Sequence, residues 1–550
     1  MNRIINIFLS FSNKERRTFL ISSFLFIVSA FLLVVVLIGK ATQAVPTSGG
    51  SFTEGFVGQP IFVNPVLASS EIDESLVRLV FSSIQDISTK IEISEEGRVW
   101  TVRLKEDLVW SDGEKLTSDD VVFTIQAIQD PDAKSPLFAN WQGVRVDRSS
   151  ELQVQFTLTA PYAFFPDNLK DLYILPKHIF ENVPPSNWKI SDFNLSPVGS
   201  GPYEFTSFNK RPDGFVTNYH LTVNPDSASD PTLIQNFTLS FFEEVKDLIG
   251  AFNKAQVDAF DGIQVGDLET IRRSYEIVPF RLPNYYAVFI NQSKNLALKE
   301  GAVREALSLA IPKKDLISEV FDDKATLVNG PIPPGAAYFS PATGAPHSQP
   351  DKARELLQES GWETVEGSAV RVKDVKGTEI ELQMSLVVPQ IEFLVNTANY
   401  LKKVWEEVGF EVDLIVLPPR EVADVVIKNR DYELILFGNF LNGSSDLFPF
   451  WHSSGRFDPG LNLALFNDSR ADELIESTRL NFDDTSRLEQ FNELQERIVG
   501  NSPAVFLYAP DYLYITSKNL KGVEAAMIRK PADRFLDIEE WHLKTVRVLK

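Results

Sequence analysis

The feature that most constrains this chain is an uncharged apolar run at residues 19–38, FLISSFLFIVSAFLLVVVLI. A helix rises about 1.5 Å per residue, so such a run reaches roughly 30 Å, the thickness of the hydrocarbon core of a bilayer. Lys14, Arg16 and Arg17 precede the run, and basic residues at this place stay on the cytoplasmic side. The sequence therefore predicts a single-pass cell-membrane protein with a cytoplasmic tail (1–18), a transmembrane helix (19–38), a flexible linker (39–51) and the bulk of the chain on the extracytoplasmic face.

A cleaved signal peptide is the alternative interpretation of this run. Its apolar core usually spans about 7–15 residues and a small-residue cleavage site follows it. Ala41 and Ala44 come close to such a site, although the run is longer than a usual signal core. A lipid-modified cysteine is excluded as an anchor, because the chain contains no cysteine. The same absence excludes disulfides and thiolate-bound zinc.

Length and charge describe the part outside the membrane. About 510 residues follow the run, which is too many for one hydrophobic core, so two or three lobes are expected. The formal net charge is -22, and residues 1–40 carry five Lys/Arg and one Glu, so the outer part carries about -26. A surface this acidic repels nucleic acid, and no nucleic-acid partner is expected.

Two stretches show a clear secondary-structure pattern. Val99–Leu104 alternates apolar and polar residues, as a half-buried strand does, and Thr117 with Asp120 forms a capping box for a following helix. Further on, residues 379–438 predict the order β-α-β-α-β, which indicates an α/β sheet with right-handed crossovers. Its predicted strands are 379–388, 411–417 and 432–437, and its predicted helices are 391–408 and 420–428.

The chain resembles the family 5 solute-binding proteins of ABC importers, the receptors for oligopeptides, dipeptides and nickel. Each matching motif alone is a weak signal, but their shared order extends over about 450 residues, and residues 99–128 begin it. The later motifs are YILPKH (173–178), PVGSGPY (197–203), VDAFDG (257–262), VREALSLAI (303–311), GPIPPG (330–335) and GW (361–362).

This resemblance implies an α/β, two-lobed periplasmic-binding-protein-like clamp of the three-domain class II type. Lobe I would span residues 52–283, lobe II 284–505, and a return segment 506–550 would complete lobe I. Such a monomeric receptor captures a solute by closing on it and delivers it to an ABC permease in the same membrane. Peptide is the expected ligand, with nickel chelates, sugars and other solutes as alternatives. No cofactor is implied.

The resemblance also implies where the ligand binds. Residues 283–291 and 504–514 look like the two segments that cross between the lobes, which would place Tyr285, Tyr286 and Tyr508 in the cleft. The alternative is that these rings pack in the core, since aromatic residues also dominate cores.

A second part of the implied site is the loop at residues 437–446. In peptide-binding members this loop supplies a carboxylate for the peptide α-amino group, and the nearest position here is Asn442, an amide. An amide has no negative charge to pair with the cationic amino group, which weakens the case for free-N-terminus recognition. The remaining predicted ligand-binding residues are Asn439, Phe440, Asp446, Trp451 and, in lobe I, Trp141.

The inventory of reactive residues predicts no catalytic residue and no metal site. The five histidines lack metal-ligand spacing, and Gly199-Ser200-Gly201 is explained better by a turn than by a nucleophile elbow. Two other classes stay open: a membrane-tethered hydrolase that uses a carboxylate pair, and a surface sensor or interaction module with the same fold.

Overall fold

The computed structural model describes residues 12–94, 96–341, 348–441 and 443–549. These residues build two large β-sheets that two short crossings connect. We call the first sheet with its packed elements lobe I, and the second sheet with its packed elements lobe II. An apolar helix and a two-stranded sheet complete the architecture.

The predicted apolar run lies in helix α1 (Asn13–Ala41). Within Asn13–Val34, a stretch of 18 residues has a mean hydropathy of 2.1 and is not buried against the rest of the protein. By length and composition this helix can cross a membrane, a property that it shares with a signal sequence.

The segment predicted as a flexible linker, residues 39–51, contains a β-strand. Strand β1 (Thr42–Thr47) follows α1 directly and pairs antiparallel with strand β22 (Lys544–Leu549), so that Thr42 lies opposite Leu549. The partner strand lies at the far end of the described chain, so no local pattern could have revealed the pairing.

Lobe I contains a seven-stranded sheet and a four-stranded antiparallel sheet. The strands of the larger sheet are β2 (Ser51–Val57), β7 (Tyr203–Lys210), β8 (Val216–Val223), β9 (Asn236–Phe242), β10 (Ala259–Phe260), β11 (Tyr275–Phe280) and β21 (Tyr512–Ser517), in the order β11-β21-β10-β2-β9-β8-β7. The strands of the smaller sheet are β3 (Ser88–Ile93), β4 (Val99–Leu104), β5 (Arg145–Ser150) and β6 (Gln153–Thr157), in the order β3-β4-β6-β5.

Helices cover these sheets, and the predicted capping box is confirmed. The backbone N–H of Thr117 donates to Asp120 Oδ2 over 2.8 Å at the start of one helix. The helices of lobe I are α2 (Glu71–Val80), α3 (Ser118–Gln129), α4 (Phe138–Trp141), α5 (Phe165–Lys170), α6 (Lys177–Phe180) and α7 (Val245–Asn253). Short 3-10 turns span Pro185–Ile190, Asp192–Asn194, Val265–Thr270, Pro531–Phe535 and Ile538–Glu540.

Lobe II contains a six-stranded mixed sheet with apolar cores on both faces. Its strands are β12 (Asn284–Ile290), β13 (Ala325–Leu327), β17 (Gln383–Pro389), β18 (Glu411–Leu417), β19 (Leu434–Phe440) and β20 (Ala504–Pro510), in the order β13-β20-β12-β19-β17-β18. A separate three-stranded sheet holds β14 (Glu363–Thr364), β15 (Arg371–Val375) and β16 (Thr378–Glu381).

The predicted β-α-β-α-β order is confirmed in lobe II. Strands β17, β18 and β19 are parallel, with the helix Glu392–Glu406 between the first two. The helices of lobe II are α8 (Gly301–Leu309), α9 (Lys313–Phe321), α10 (Pro350–Glu359), α11 (Glu392–Glu406), α12 (Pro419–Glu421), α13 (Phe448–Trp451), α14 (Ser469–Leu480) and α15 (Asp484–Gly500). Short 3-10 turns span Ala297–Lys299 and Ser453–Gly455, and a π-turn spans Val422–Ile427.

Within the part of the chain that the structure describes, the backbone crosses between the lobes twice. The first crossing leads from β11, which ends at Phe280, to β12, which begins at Asn284; the second leads from Pro510 in β20 to Tyr512 in β21. Because β20 stays in the sheet of lobe II to its end, the second crossing lies later than the predicted boundary at residue 505.

Candidate functional site

In both sheets, several strands end next to the crossings, so their carboxyl ends face the boundary between the lobes. In lobe I, β21 begins at the second crossing, and β10 runs antiparallel to it and therefore ends there. Strands β2 and β9 run parallel to β10, so they end on the same side. In lobe II, β12 begins at the first crossing, β19 ends there, and β17 and β18 run parallel to β19. Because α/β sheets bind ligands outside the carboxyl ends of their strands, the boundary between the lobes is the candidate site.

An aromatic patch lies in lobe II beside the first crossing, where Phe440 is paired with Asn284. Phe440, the last residue of β19, is 47% exposed, and its ring centroid lies 6.3 Å from that of the half-buried Tyr286. Phe393 at the start of α11 packs edge-on to Tyr286 at 5.1 Å. Burial raises the pKa of Tyr286 to about 12, so its hydroxyl is neutral at physiological pH.

Three predicted site residues instead form a buried network on the other side of the sheet. Asn439 Nδ2 donates to the Tyr285 hydroxyl over 2.8 Å, and Trp451 Nε1 donates to it over 3.1 Å. All three residues are at most 3% exposed, and burial raises the pKa of Tyr285. Consecutive side chains of a strand point to opposite faces, so Tyr286 packs on the other face of the sheet, where its ring lies 5.8 Å from that of Tyr508.

Two further predicted site residues also lie in the core. Tyr508 is fully buried, shares a 2.7 Å hydrogen bond with Thr397 Oγ1, and its ring packs 4.6 Å from that of Phe321. Trp141 is 2% exposed and packs edge-on to Phe165 at 5.7 Å in lobe I. These rings stabilise the lobes and do not line the boundary.

Asp446, another predicted site residue, lies at a direct contact between the lobes. The Tyr162 hydroxyl of lobe I donates to Asp446 Oδ2 over 3.0 Å, and Arg479 Nε of lobe II lies 3.1 Å from the same oxygen. The Arg479 guanidinium stacks over the rings of Tyr162 at 5.2 Å and Phe448 at 4.4 Å. The backbone carbonyl of Arg479 accepts a hydrogen bond from the Ala163 N–H over 2.7 Å. Burial, and then the neighbouring Asp446 carboxylate, raise the pKa of Tyr162. We call Tyr162, Asp446 and Arg479 the latch.

A groove with a cavity volume of about 630 Å³ adjoins the latch and has walls from both lobes. Its lining is mixed, with apolar side chains beside amides, hydroxyls and two carboxylates. The polar lining residues include Asn140, Gln142, Thr159, Asn168, Asp446 and Glu476.

The loop after β19 begins at the first crossing. The backbone N–H of Leu441 donates to the Pro283 carbonyl over 2.9 Å. Asn442, the predicted amine-binding position, lies outside the described residues. Gly443 has φ +75°, and a Cβ there would stand 2.1 Å from Cγ of Arg529, in the return segment. Arg529 is itself fixed by a 3.1 Å ion pair with Asp171, so this loop fits tightly against lobe I.

The lobe I side of the boundary holds a group of buried ionisable residues that sequence reasoning missed. Arg534 is 2% exposed; its Nε lies 3.1 Å from Glu54 Oε1 and its Nη2 lies 3.1 Å from Asp261 Oδ2. The Tyr512 hydroxyl lies within hydrogen-bonding distance of both Glu71 and Asp261. We call this group the acid cluster.

The acid cluster holds more carboxyls than cations. A hydroxyl has one proton, so Tyr512 can donate to only one of its two carboxyl neighbours, and the other acid must supply a proton of its own. Burial raises the pKa of Glu54 to about 7 despite Arg534. Burial, reinforced by the neighbouring Asp261 carboxylate, raises the pKa of Glu71 above its ordinary value. The two glutamates therefore keep their protons to a higher pH than exposed carboxyls do.

Among the residues that the structure describes, no group of three or more His, Cys, Asp or Glu side chains is arranged to hold a metal ion.

Comparison with protein families gives one broad match. Residues 63–458 match the family model described as bacterial extracellular solute-binding proteins, family 5 Middle. The chain is similar to the oligopeptide-binding protein AppA of Bacillus subtilis (strain 168), with 25% identity over 524 residues, 92% of this chain and 93% of the relative. It is also similar to protein XP55 of Streptomyces lividans, with 25% identity over 78% of this chain and 77% of that protein.

Solved structures share the fold. The oligopeptide-binding protein AppA from Bacillus subtilis in complex with a nonapeptide has a TM-score of 0.67 and 22% identity, covering 91% of this chain and 100% of that one. The ABC transporter substrate-binding protein CtaP from Listeria monocytogenes has a TM-score of 0.75 and 23% identity, covering 90% of this chain and 100% of that one.

Proposed function

Because the chain belongs to the bacterial extracellular solute-binding proteins of family 5, we propose that it is a membrane-anchored receptor of an ABC importer that captures a peptide between its lobes. The observation that carries this proposal is the pair of crossings, 281–283 and Asp511, at the carboxyl ends of both sheets. Two adjacent crossings act as a hinge, and ligands commonly bind in the cleft beside such a hinge.

The contacts between the lobes support clamp closure. The latch and the Gly443–Arg529 contact join the lobes through side chains and loops, beside a small apolar contact in which Phe164 of lobe I packs 6.3 Å from Phe491 of lobe II. Contacts of this kind can open without unfolding either lobe. A ligand that touches both lobes stabilises the closed form and shifts the equilibrium toward it. The smaller sheet of lobe I then forms the third domain of the clamp, and an ABC permease recognises the closed receptor.

A peptide suits the chemistry of the boundary. The aromatic patch of Tyr286, Phe393 and Phe440 offers apolar area, and the groove offers amides, hydroxyls and carboxylates for a peptide backbone. One relative supports this ligand class, because it is named as oligopeptide-binding and its solved structure holds a nonapeptide. The chain acts as a binder without chemical turnover.

Strand β1 supports a retained anchor rather than a cleaved signal. It begins at Thr42, one residue after α1 ends, and pairs with β22 along its whole length. Cleavage near Ala44 would remove half of these pairs. A retained α1 tethers the receptor beside its permease, which raises the effective concentration of loaded receptor there.

Native mass spectrometry of the full chain in detergent tests the proposal. We expect a series of co-purified peptides that is released when the protein unfolds, and an intact mass that includes residues 19–38. A ligand-free protein that also fails to bind a random peptide library would contradict the peptide receptor, whereas a mass without residues 19–38 would contradict the anchor alone.

A further inference from the structure

The two-stranded sheet of β1 and β22, which we call the ribbon, connects α1 to the rest of the protein. Six residue pairs form it, from Thr42 opposite Leu549 to Thr47 opposite Lys544. Arg547 Nη1 also donates to Thr42 Oγ1 over 3.1 Å. Because its first pair follows Ala41, the end of α1, the ribbon emerges where the helix would leave the bilayer.

The ribbon is exposed to a degree that a folded element rarely tolerates in water. All six residues of β22 are exposed, and those of β1 are half-buried at most. Val546, Val548 and Leu549 are exposed by 48%, 38% and 79%. A two-stranded sheet alone is marginally stable in water, so the ribbon needs a further surface to cover its apolar side chains.

The charge of the ribbon is opposite to that of the whole chain. Residues 38–53 and 541–549 contain Lys40, Lys544 and Arg547 but no Asp or Glu, although the formal net charge of the protein is -22. Basic side chains interleaved with exposed apolar ones are typical of segments that lie at the interface of an anionic membrane.

We propose that the ribbon lies on the membrane surface and binds anionic phospholipid headgroups. Lys544, Val546 and Val548 project from one face of β22; this face lies against the lipid, where Lys544 contacts the phosphates and the two valines enter the interface. Arg547, on the other face, adds to the attraction for anionic headgroups. This inference rests on the membrane anchor proposed above. Since β22 also ends the segment that returns to lobe I, the bound ribbon holds the cleft at a fixed height and orientation above the bilayer. The acidic lobes are repelled by the same surface, which favours contact through the ribbon alone.

Fluorescence quenching by spin-labelled lipids tests this proposal with the full chain in vesicles. The chain has no cysteine, so each single-cysteine variant carries one label. With Thr545→Cys on the ribbon, we expect strong quenching by headgroup-labelled lipid in phosphatidylglycerol-containing vesicles and weak quenching in phosphatidylcholine alone. Arg420→Cys, whose side chain is 91% exposed in lobe II, should stay unquenched in both.

Charge variants show whether the quenching at position 545 depends on binding of anionic lipid by the basic residues of the ribbon. Lys544→Gln with Arg547→Gln should reduce quenching at position 545 to the level in neutral lipid. The control pair Lys254→Gln with Lys428→Gln removes the same charge from exposed sites elsewhere and should leave quenching unchanged. Equal quenching in neutral and anionic vesicles, or no effect of the ribbon variants, would overturn the proposal.

A label in the helix separates this inference from the anchor on which it rests. Phe26→Cys replaces a side chain that is 75% exposed on α1, and acyl-chain-labelled lipid should quench it. Quenching at position 26 without quenching at 545 refutes the ribbon contact and leaves the anchor intact. No quenching at position 26 refutes the anchor and the ribbon contact together.

Discussion

The hydroxyl of Tyr162 donates a hydrogen bond to Asp446 Oδ2 over 3.0 Å and thereby joins lobe I to lobe II. The two residues are 284 positions apart in the chain. Asp446 is also paired with Arg479, so its carboxylate already has a partner on each side of the boundary. In the arrangement that the structure shows, Asp446 stabilises the contact between the lobes, the contact that closure as proposed above would form.

Tyr162→Phe should weaken ligand binding without destabilising either lobe. A hydrogen bond to a charged group contributes about 1–2 kcal/mol at a partly exposed site, so we expect about tenfold lower affinity as the closed form becomes less populated. Isothermal titration with a peptide ligand measures the affinity, and thermal unfolding should stay nearly unchanged. Tyr338→Phe is the control, because its hydroxyl–Asp484 contact lies within lobe II; an equal loss in both variants would contradict a role in closure.

Gly443→Ala should also hinder closure. A Cβ at this position would stand 2.1 Å from Cγ of Arg529, which would have to leave its ion pairs with Asp171 and Asp533. We expect about tenfold weaker peptide binding. Gly377→Ala controls for the left-handed backbone, because Gly377 has φ +83° and open space around it; that variant should lose only about 1 kcal/mol of stability. Unchanged binding by the Gly443 variant would show that the contact does not matter for closure.

Tyr285→Phe should affect stability and leave ligand affinity unchanged. The lost hydroxyl accepts from Asn439 and Trp451, and two buried donors left without an acceptor cost about 2–4 kcal/mol of unfolding free energy. Urea unfolding measures the loss. Phe440→Ala should lower ligand affinity and leave the unfolding free energy nearly unchanged, since the Phe440 ring is 47% exposed at the boundary. A loss of affinity in the Tyr285 variant would return that residue to the ligand site.

The sequence predicted local structure well because local interactions determine it. The capping box of Thr117 and Asp120 and the parallel strands β17 and β18 depend on residues close together in the chain. The orientation of Tyr285 against Tyr286 could not be predicted, since a strand with two buried faces shows no alternation. The latch and the ribbon depend on partners hundreds of residues away, and no spacing rule connects them.

Asn442→Asp tests the proposed amine-binding position. If residue 442 faces the α-amino group of a peptide, a carboxylate there gains a charge-assisted hydrogen bond, and affinity for free-amine peptides should rise about tenfold or more. An N-acetylated peptide of the same sequence is the control and should bind both proteins equally. The same affinity of both proteins for the free-amine peptide would mean that the amino group binds elsewhere.

Glu54→Gln tests the proton uptake of the acid cluster through the pH dependence of stability. The pKa of Glu54 rises from its ordinary 4.5 to about 7 in the folded protein, because burial outweighs the attraction of Arg534. Between these two pH values the folded state keeps a proton that the unfolded state has lost, so the unfolding free energy falls as pH rises. Below pH 4.5 this group contributes nothing, and above about pH 7 the loss, about 3 kcal/mol, is complete. Glutamine cannot ionise, so the variant should gain stability relative to the wild type across that window, and the stability difference should be constant above it.

Urea unfolding from pH 4.5 to pH 8 measures the difference, with the exposed Glu114→Gln as the charge control. A constant difference between variant and wild type would mean that Glu54 is ionised throughout and that another acid of the cluster holds the proton.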